Sequence, residues 1–304
     1  MKGFFWQDLK RSFLNRGFFA GLLVVAYILV SAAFHAPLDK SRSSYFIMIE
    51  IFAASGFCPF AAIFPCLAYA TAFCEEYSSG YLKMIYSRMS PVKFGLTRIV
   101  TTALSGGVML AIPFFIAMNI VYYCGVPGIP TGNDEGLMAG RALIYYIETY
   151  GDWYAFLWKV LLGFLFGCTW ALVGLAFAVW LPNKYVALIA PFVLYEAMWL
   201  ALGKVPILNP IDLIRGDDLN NYPLSGVMEC VYILLAAVLI VDGGIGLIKI
   251  FLLRFLKIAV LKNTRTPLHD HARKGKGWSD TQVVFRFCII QILFVLFAYL
   301  VVAR

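Results

Sequence analysis

The sequence predicts an all-α membrane protein: a bundle of six core transmembrane helices with an N-terminal amphipathic helix and a seventh, C-terminal span. Three observations lead there. Of 304 residues, 62% are hydrophobic and only 14% are charged, against about 25% charged in a soluble domain. Apolar runs of roughly 20 residues, enough at about 1.5 Å each to cross about 30 Å of hydrocarbon, recur along the chain. Basic residues gather in clusters between those runs. The first observation excludes an ordinary soluble enzyme, and the second excludes a single membrane anchor.

Residues 1–16 precede the first run. Phe5, Leu9 and Phe13 repeat every four residues while Asp8, Lys10, Arg11 and Asn15 take other positions on the wheel, so an amphipathic helix is expected, with Trp6 and the basic stems in the headgroup zone. Spans follow near Gly17 to Phe34, Phe46 to Phe73, Leu96 to Tyr123, Ala155 to Leu181, Tyr185 to Leu202 and Val227 to Ile248, giving a six-span domain over 17–248. The first run reads as a retained helix, because further spans follow it too closely for a removable signal peptide. Ser90 and Pro91 read as the start of span three, the serine oxygen capping free N–H groups and the proline standing where no donor is needed. Pro182 and Asn183 leave room only for a tight turn, so spans four and five are expected to form an antiparallel hairpin. Pro59, Pro65, Pro113 and Pro191 lie inside spans and should kink them. A helix running on from Val227 to Leu261 would outreach the bilayer, so span six is expected to leave it near Lys249. A basic segment 249–283 and an additional span 284–304 then complete the chain.

Orientation follows from the preference of Lys and Arg for the cytoplasmic side. With the N-terminus inside, Lys2, Lys10, Arg11 and Arg16, the basic residues of loop 74–98, Lys184 and the stretch Lys249 to Arg286 all face the cytoplasm. The outer side holds only Lys40, Arg42, Arg141, Lys204, Arg215 and Arg304, with Lys159 in span four near its outer end. A multi-pass plasma-membrane protein with a cytoplasmic N-terminus is expected. The basic segment suits anionic lipid headgroups. Its His269 and His271 have no evident third ligand, so no metal site is expected. The seven cysteines, mostly inside apolar runs without CxxC spacing, read as small buried hydrophobes.

Glu196 and Asp242 fall within spans five and six, where a bare charge costs at least about 2.5 kcal/mol. Two readings stand: a polar lining or protonation-sensitive gate of a transport route, and a hydrogen bond between neighbouring helices. Glu50 and Glu229, nearer span ends, are expected at the interface, and Gly243, Gly244 and Gly246 read as close helix packing. In the loop 74–98, Leu82, Ile85 and Met89 form an i, i+3, i+7 stripe with Lys83 and Arg88 elsewhere on the wheel, which predicts a short amphipathic helix. Such a helix can lie on the inner leaflet or press its stripe into a partner's groove.

The string AFCEEYSSGYLKMIYSRMSPVKFGLTRIV, Ala72 to Val100, resembles the permease subunits of type-2 ATP-binding-cassette (ABC) exporters. In that family the second span ends in a phenylalanine and acidic residues, followed by a glycine, a coupling helix, a Ser-Pro break and a basic residue entering span three. Phe73, Glu75, Glu76, Gly80, Ser90, Pro91 and Lys93 fill those places. The hairpin WLPNKYVALIAPF and the pair Asn209-Pro210 extend the likeness, which covers about Met1 to Ile248. The resemblance implies a half-transporter in which two permease chains, identical or homologous, each contact a separate nucleotide-binding ATPase subunit. It also implies that Glu75, Glu76, Gly80, Leu82, Ile85 and Met89 couple to that ATPase. Residues 203–226 would form outer re-entrant elements, with Asn209, Pro210 and Asp212 at their turns and caps. The chain departs from the family in its basic segment and seventh span.

No GxxxxGK[ST] phosphate loop occurs in the sequence, so energy must come from another chain or from a gradient. The resemblance implies ATP and Mg on the partner subunit, with no cofactor, metal or catalytic residue in this chain. Membrane lipid is the other expected partner, and nucleic acid is not. The expected cargo is a peptide, an antibiotic or a lipid-like molecule moved out of the cytoplasm. The alternative is a proton-coupled secondary transporter working through Glu196 or Asp242. A membrane enzyme is disfavoured, because the three histidines form no convergent acid–base or metal constellation.

Overall fold

The computed structural model describes residues 2–35, 44–125, 149–215 and 222–255. The chain is an all-α membrane protein, with no strand among the described residues. In chain order the helices are α1 (Lys2–Phe13), α2 (Arg16–His35), α3 (Ser44–Ala54), α4 (Phe57–Phe60), α5 (Ile63–Tyr69), α6 (Ala72–Ser78), α7 (Tyr81–Arg88), α8 (Pro91–Cys124), α9 (Asp152–Trp180), α10 (Lys184–Leu202), α11 (Pro210–Arg215) and α12 (Tyr222–Phe255). A 3-10 turn at Pro206–Leu208 precedes α11. Five of these helices, α2, α8, α9, α10 and α12, are long and apolar enough to cross a membrane.

The centre of the bundle is α9, whose apolar window is 72% buried, while that of α10 is only 17% buried. Glycine sets the contact of α9 with α8. A Cβ on Gly106 would lie 2.7 Å from the Gly167 carbonyl oxygen, and one on Gly107 would lie 2.7 Å from the Cys168 sulfur. On α9 the string Gly163-Phe-Leu-Phe-Gly167 is a small-xxx-small stripe, which lets helix backbones approach closely where apolar burial gives no net drive. Gly163 takes the Phe114 ring at the same seam.

The expected continuous second span, Phe46 to Phe73, is instead four short helices, α3 to α6. Gly56 adopts a left-handed conformation (φ 64°), and Pro59 and Pro65 supply no N–H to their helices. At membrane depth the freed backbone groups need partners. The Tyr195 hydroxyl donates to the Cys58 carbonyl, the Asn15 amide to the Ala68 carbonyl at 3.0 Å, and the Phe57 N–H to Ser55 Oγ at 3.2 Å. By contrast, α8 and α10 run unbroken through Pro113 and Pro191.

Asn183 starts α10 as a true cap, its side chain accepting the Tyr185 N–H, and Asn209 caps α11 through the Ile211 N–H at 3.2 Å. Pro91 opens α8 as expected, but the Ser90 side chain makes no capping bond. In the sixth span α12 continues as helix to Phe255, past the position near Lys249 where the span is expected to leave the bilayer. The surroundings of Asp242, Gly243, Gly244 and Gly246 are not among what is described, and residues 256–304, with the expected seventh span, lie outside the described residues. Glu229 is not interfacial but completely buried between α12 and α9. Of the cysteines, Cys58, Cys66, Cys74 and Cys168 are buried and Cys230 is exposed.

Candidate functional site

The end of the bundle that carries α1 and α7 holds a buried cluster of charge. Arg98, two turns into α8, is 2% exposed, and its guanidinium stands between Asp8 of α1 (2% exposed) and Glu76 of α6 (4%). Arg98 Nη1 is 3.3 Å from Asp8 Oδ1, and Nη2 donates to Glu76 Oε2. The second oxygen of Glu76 accepts from Arg11 of α1 at 3.2 Å. Asp8 is completed by the hydroxyls of Tyr69 and Thr101, both donating at 2.7 Å. Arg98 is buried with both carboxylates, and Arg11, its side chain 53% exposed, supplies the second cation from the cluster's edge, so the charges balance. Arg98 also lies over the rings of Tyr69 (4.6 Å) and Phe94 (5.2 Å). Neither its Nε nor its Nη1 has a hydrogen-bond partner, so the contact with Asp8 is an ion pair without a hydrogen bond.

This cluster adds an inward polar contact to the N-terminal helix. Asp8 and Ser12 are the residues buried on α1, while Phe5, Leu9 and Phe13 are only half-buried and Trp6 is exposed. The helix therefore turns a polar edge inward, because Arg98 offers Asp8 a charge-assisted partner that lipid cannot. Phe4 packs beside Phe94 at 6.1 Å, and Phe13 meets Phe18 edge-on at 5.3 Å.

Residues singled out in the sequence separate here. Glu76 is inside the cluster, whereas Glu75 is exposed. Gly80 reverses the chain between α6 and α7 in a left-handed conformation (φ 73°), and no atom crowds its Cβ position, so the glycine is required by backbone geometry alone. Leu82 and Ile85 are buried in the chain's own core with Met89 packed against it. The stripe, for which the pattern leaves both the inner leaflet and a partner's groove open, is therefore packed against this chain's own bundle. The face α7 leaves outward carries Tyr81, Met84, Ser87 and Arg88. Tyr86 packs edge-on against Phe94 at 5.6 Å, and burial pushes its hydroxyl up to about 12, so it stays neutral beside the charges. An open cleft of about 570 Å³ beside α1 is lined by Lys10, Arg11 and Asn15 on one side and by Tyr69 and Glu75 opposite.

The remaining expected residues do not join this cluster. Asn209 and Pro210 are buried at the start of α11, and Asp212 sits in its first turn, where a carboxylate meets the positive end of the helix. Lys159, 2% exposed, donates to the Arg215 carbonyl at the other end of α11 and lies 4.4 Å from the Phe52 ring centre. Glu196 is half-buried on α10, and its Oε1 has no hydrogen-bond partner. Glu229 accepts the Thr169 hydroxyl at 2.7 Å. No group of three or more His, Cys, Asp and Glu side chains suited to a metal occurs among the described residues.

Asp8 and Arg98 are the functional candidates that sequence reasoning misses. By position alone Arg98 counts as a loop charge, and Asp8 as part of the polar side of α1. The available signal is Arg98 itself, placed two residues inside the apolar run that begins at Leu96 and followed by Thr101 one turn on.

No protein-family model matches the chain. No solved structure matches it. Among curated proteins, a 56-residue segment, 18% of this chain, is 48% identical to the phospho-N-acetylmuramoyl-pentapeptide-transferase of Treponema pallidum, equally in the Nichols strain and in a second strain of subspecies pallidum. The match spans 15% of the length of those curated relatives.

Proposed function

We propose that this chain is the membrane-spanning permease subunit of an ATP-driven exporter, oriented with α1 and α7 toward the cytoplasm of the cell membrane. ATP is hydrolysed, with Mg, by a separate nucleotide-binding subunit, and a second permease chain completes the route. The cargo is a peptide, an antibiotic or a lipid-like molecule. One observation carries the reading: a short helix after the second span, α7, is packed onto the bundle and held beside an ionic cluster that joins α1, α6 and α8. That arrangement suits a part that receives motion. The outward residues Glu75, Tyr77, Tyr81, Met84 and Arg88 then form the surface offered to the ATPase.

Affinity purification of the tagged chain from its native membrane tests this reading. The expected result is an ATP-binding subunit in stable association, with ATP hydrolysis stimulated when both are reconstituted together. Transport that ignores ATP and collapses with the proton gradient would instead favour the secondary transporter. The short match to a transferase favours a second reading, a membrane enzyme handling a phospho-N-acetylmuramoyl-pentapeptide. Transfer of that group by the purified chain would establish it and displace the permease.

A further inference from the structure

Covalent connections alone do not explain how α1 could follow α7. The path from α7 to α6 is a two-residue turn, Ser79-Gly80, the path to α8 is Met89-Ser90, and α1 is separated from α7 by the whole of the first two spans. What joins them is a set of side-chain contacts centred on α8. Glu76 is gripped from two elements at once, by Arg11 of α1 and Arg98 of α8. Asp8 is gripped by Arg98 and Thr101 of α8 and by Tyr69 of α5. Phe94, one turn before Arg98, takes Phe4 from α1 on one side and Tyr86 from α7 on another. The N-terminal helix is thus tied to the coupling region by ionic and aromatic contacts that both pass through the first turns of α8.

We propose that Arg98 is a positioning residue that locks α1, the α5–α7 end of the second span and the first turns of α8 into one rigid body, so that displacement of α7 carries α1 with it. The chemistry explains the choice of arginine. Its planar guanidinium donates from Nη2 to Glu76 and sets Nη1 3.3 Å from Asp8 as an ion pair, a fixed relation to two carboxylates that a lysine ammonium, a point charge on a flexible stem, cannot hold. The inference goes beyond the exporter assignment, since it concerns the mechanics of this chain with any driver.

Spin labels placed at Trp6→Cys on α1 and Met84→Cys on α7 test it in the full-length chain in lipid nanodiscs, with Cys124, Cys230 and Cys288 changed to serine. Both labelled positions are well exposed, at 67% and 66%. The expected result is a single narrow distance distribution, lost in Arg98→Lys and in Asp8→Asn and regained in Asp8→Glu. Tyr69→Phe, which removes one hydroxyl and no charge, supplies a mild variant that keeps the chain folded and is expected to broaden the distribution partially. An unchanged narrow distribution in Arg98→Lys and Asp8→Asn would overturn the proposal. So would a broad distribution in the unaltered cluster. No ATPase is present in the experiment, so its outcome is separate from that of the co-purification above.

Discussion

Buried charge is handled differently in two regions of this molecule. Beside α1, the buried Arg98, Asp8 and Glu76 are completed by the half-exposed Arg11 into a balanced group drawn from α1, α6 and α8. Between α12 and α9, the carboxyl of Glu229 is buried against a neutral partner, the Thr169 hydroxyl. A buried group bonded to a neutral partner can be replaced by a neutral isostere, because that partner loses little. A group in a balanced cluster cannot, because its removal leaves the opposite charges desolvated and unpaired.

The largest expected effect is at the hub. Arg98→Ala leaves Asp8 and Glu76 buried without their shared cation, a change that costs about 3–5 kcal/mol. A strongly lowered unfolding midpoint in lipid nanodiscs, with earlier proteolysis of α1, is the measurement. The same chemical change made in both regions then isolates the principle. Glu76→Gln removes a charge facing two arginines and is expected to cost at least about 3 kcal/mol. Glu229→Gln keeps an acceptor for the Thr169 hydroxyl and is expected to cost about 1 kcal/mol or less. Equal shifts in midpoint for the two variants would break the comparison. Between them lies Lys159→Met, which fills much the same space but withdraws a donor from the Arg215 carbonyl, at about 1–3 kcal/mol.

The same contrast explains what can be read from the sequence. Spans one, three, four and five are legible to within a few residues, because lipid contact demands continuous apolar length and nothing else competes with that signal. The second span is not legible as four pieces. Its breakers Gly56, Pro59 and Pro65 are visible in the sequence, but the side chains that bond its carbonyls at the breaks, Tyr195 to Cys58 and Asn15 to Ala68, come from remote parts of the chain. The ionic cluster is hidden for a similar reason. Helical periodicity assigns Asp8 to the wet face of α1, and only the tertiary partner Arg98 reverses that assignment. In α7 the periodicity marks Leu82, Ile85 and Met89 as one apolar stripe, yet the surface that covers the stripe belongs to this chain.

That last point separates stability from coupling and leads to the smallest expected effect on stability. On α7 the inward residues hold the helix in place, so the outward ones are free to serve another molecule. Met84 is the most exposed of the large apolar residues on α7. Changing it to glutamate touches no core neighbour, and a surface change of that kind stays within about 0.5 kcal/mol. If the outward face of α7 meets an ATPase, Met84→Glu is expected to leave the unfolding midpoint and the α1 to α7 spacing as they are while abolishing co-purification with that subunit. Ile85→Glu, one residue along, should do the reverse, unseating α7 from its own bundle before any partner is involved. Retention of the ATPase by Met84→Glu would move the coupling surface elsewhere, toward Glu75 and the cleft beside α1, while leaving the ionic cluster as the frame on which that surface is mounted.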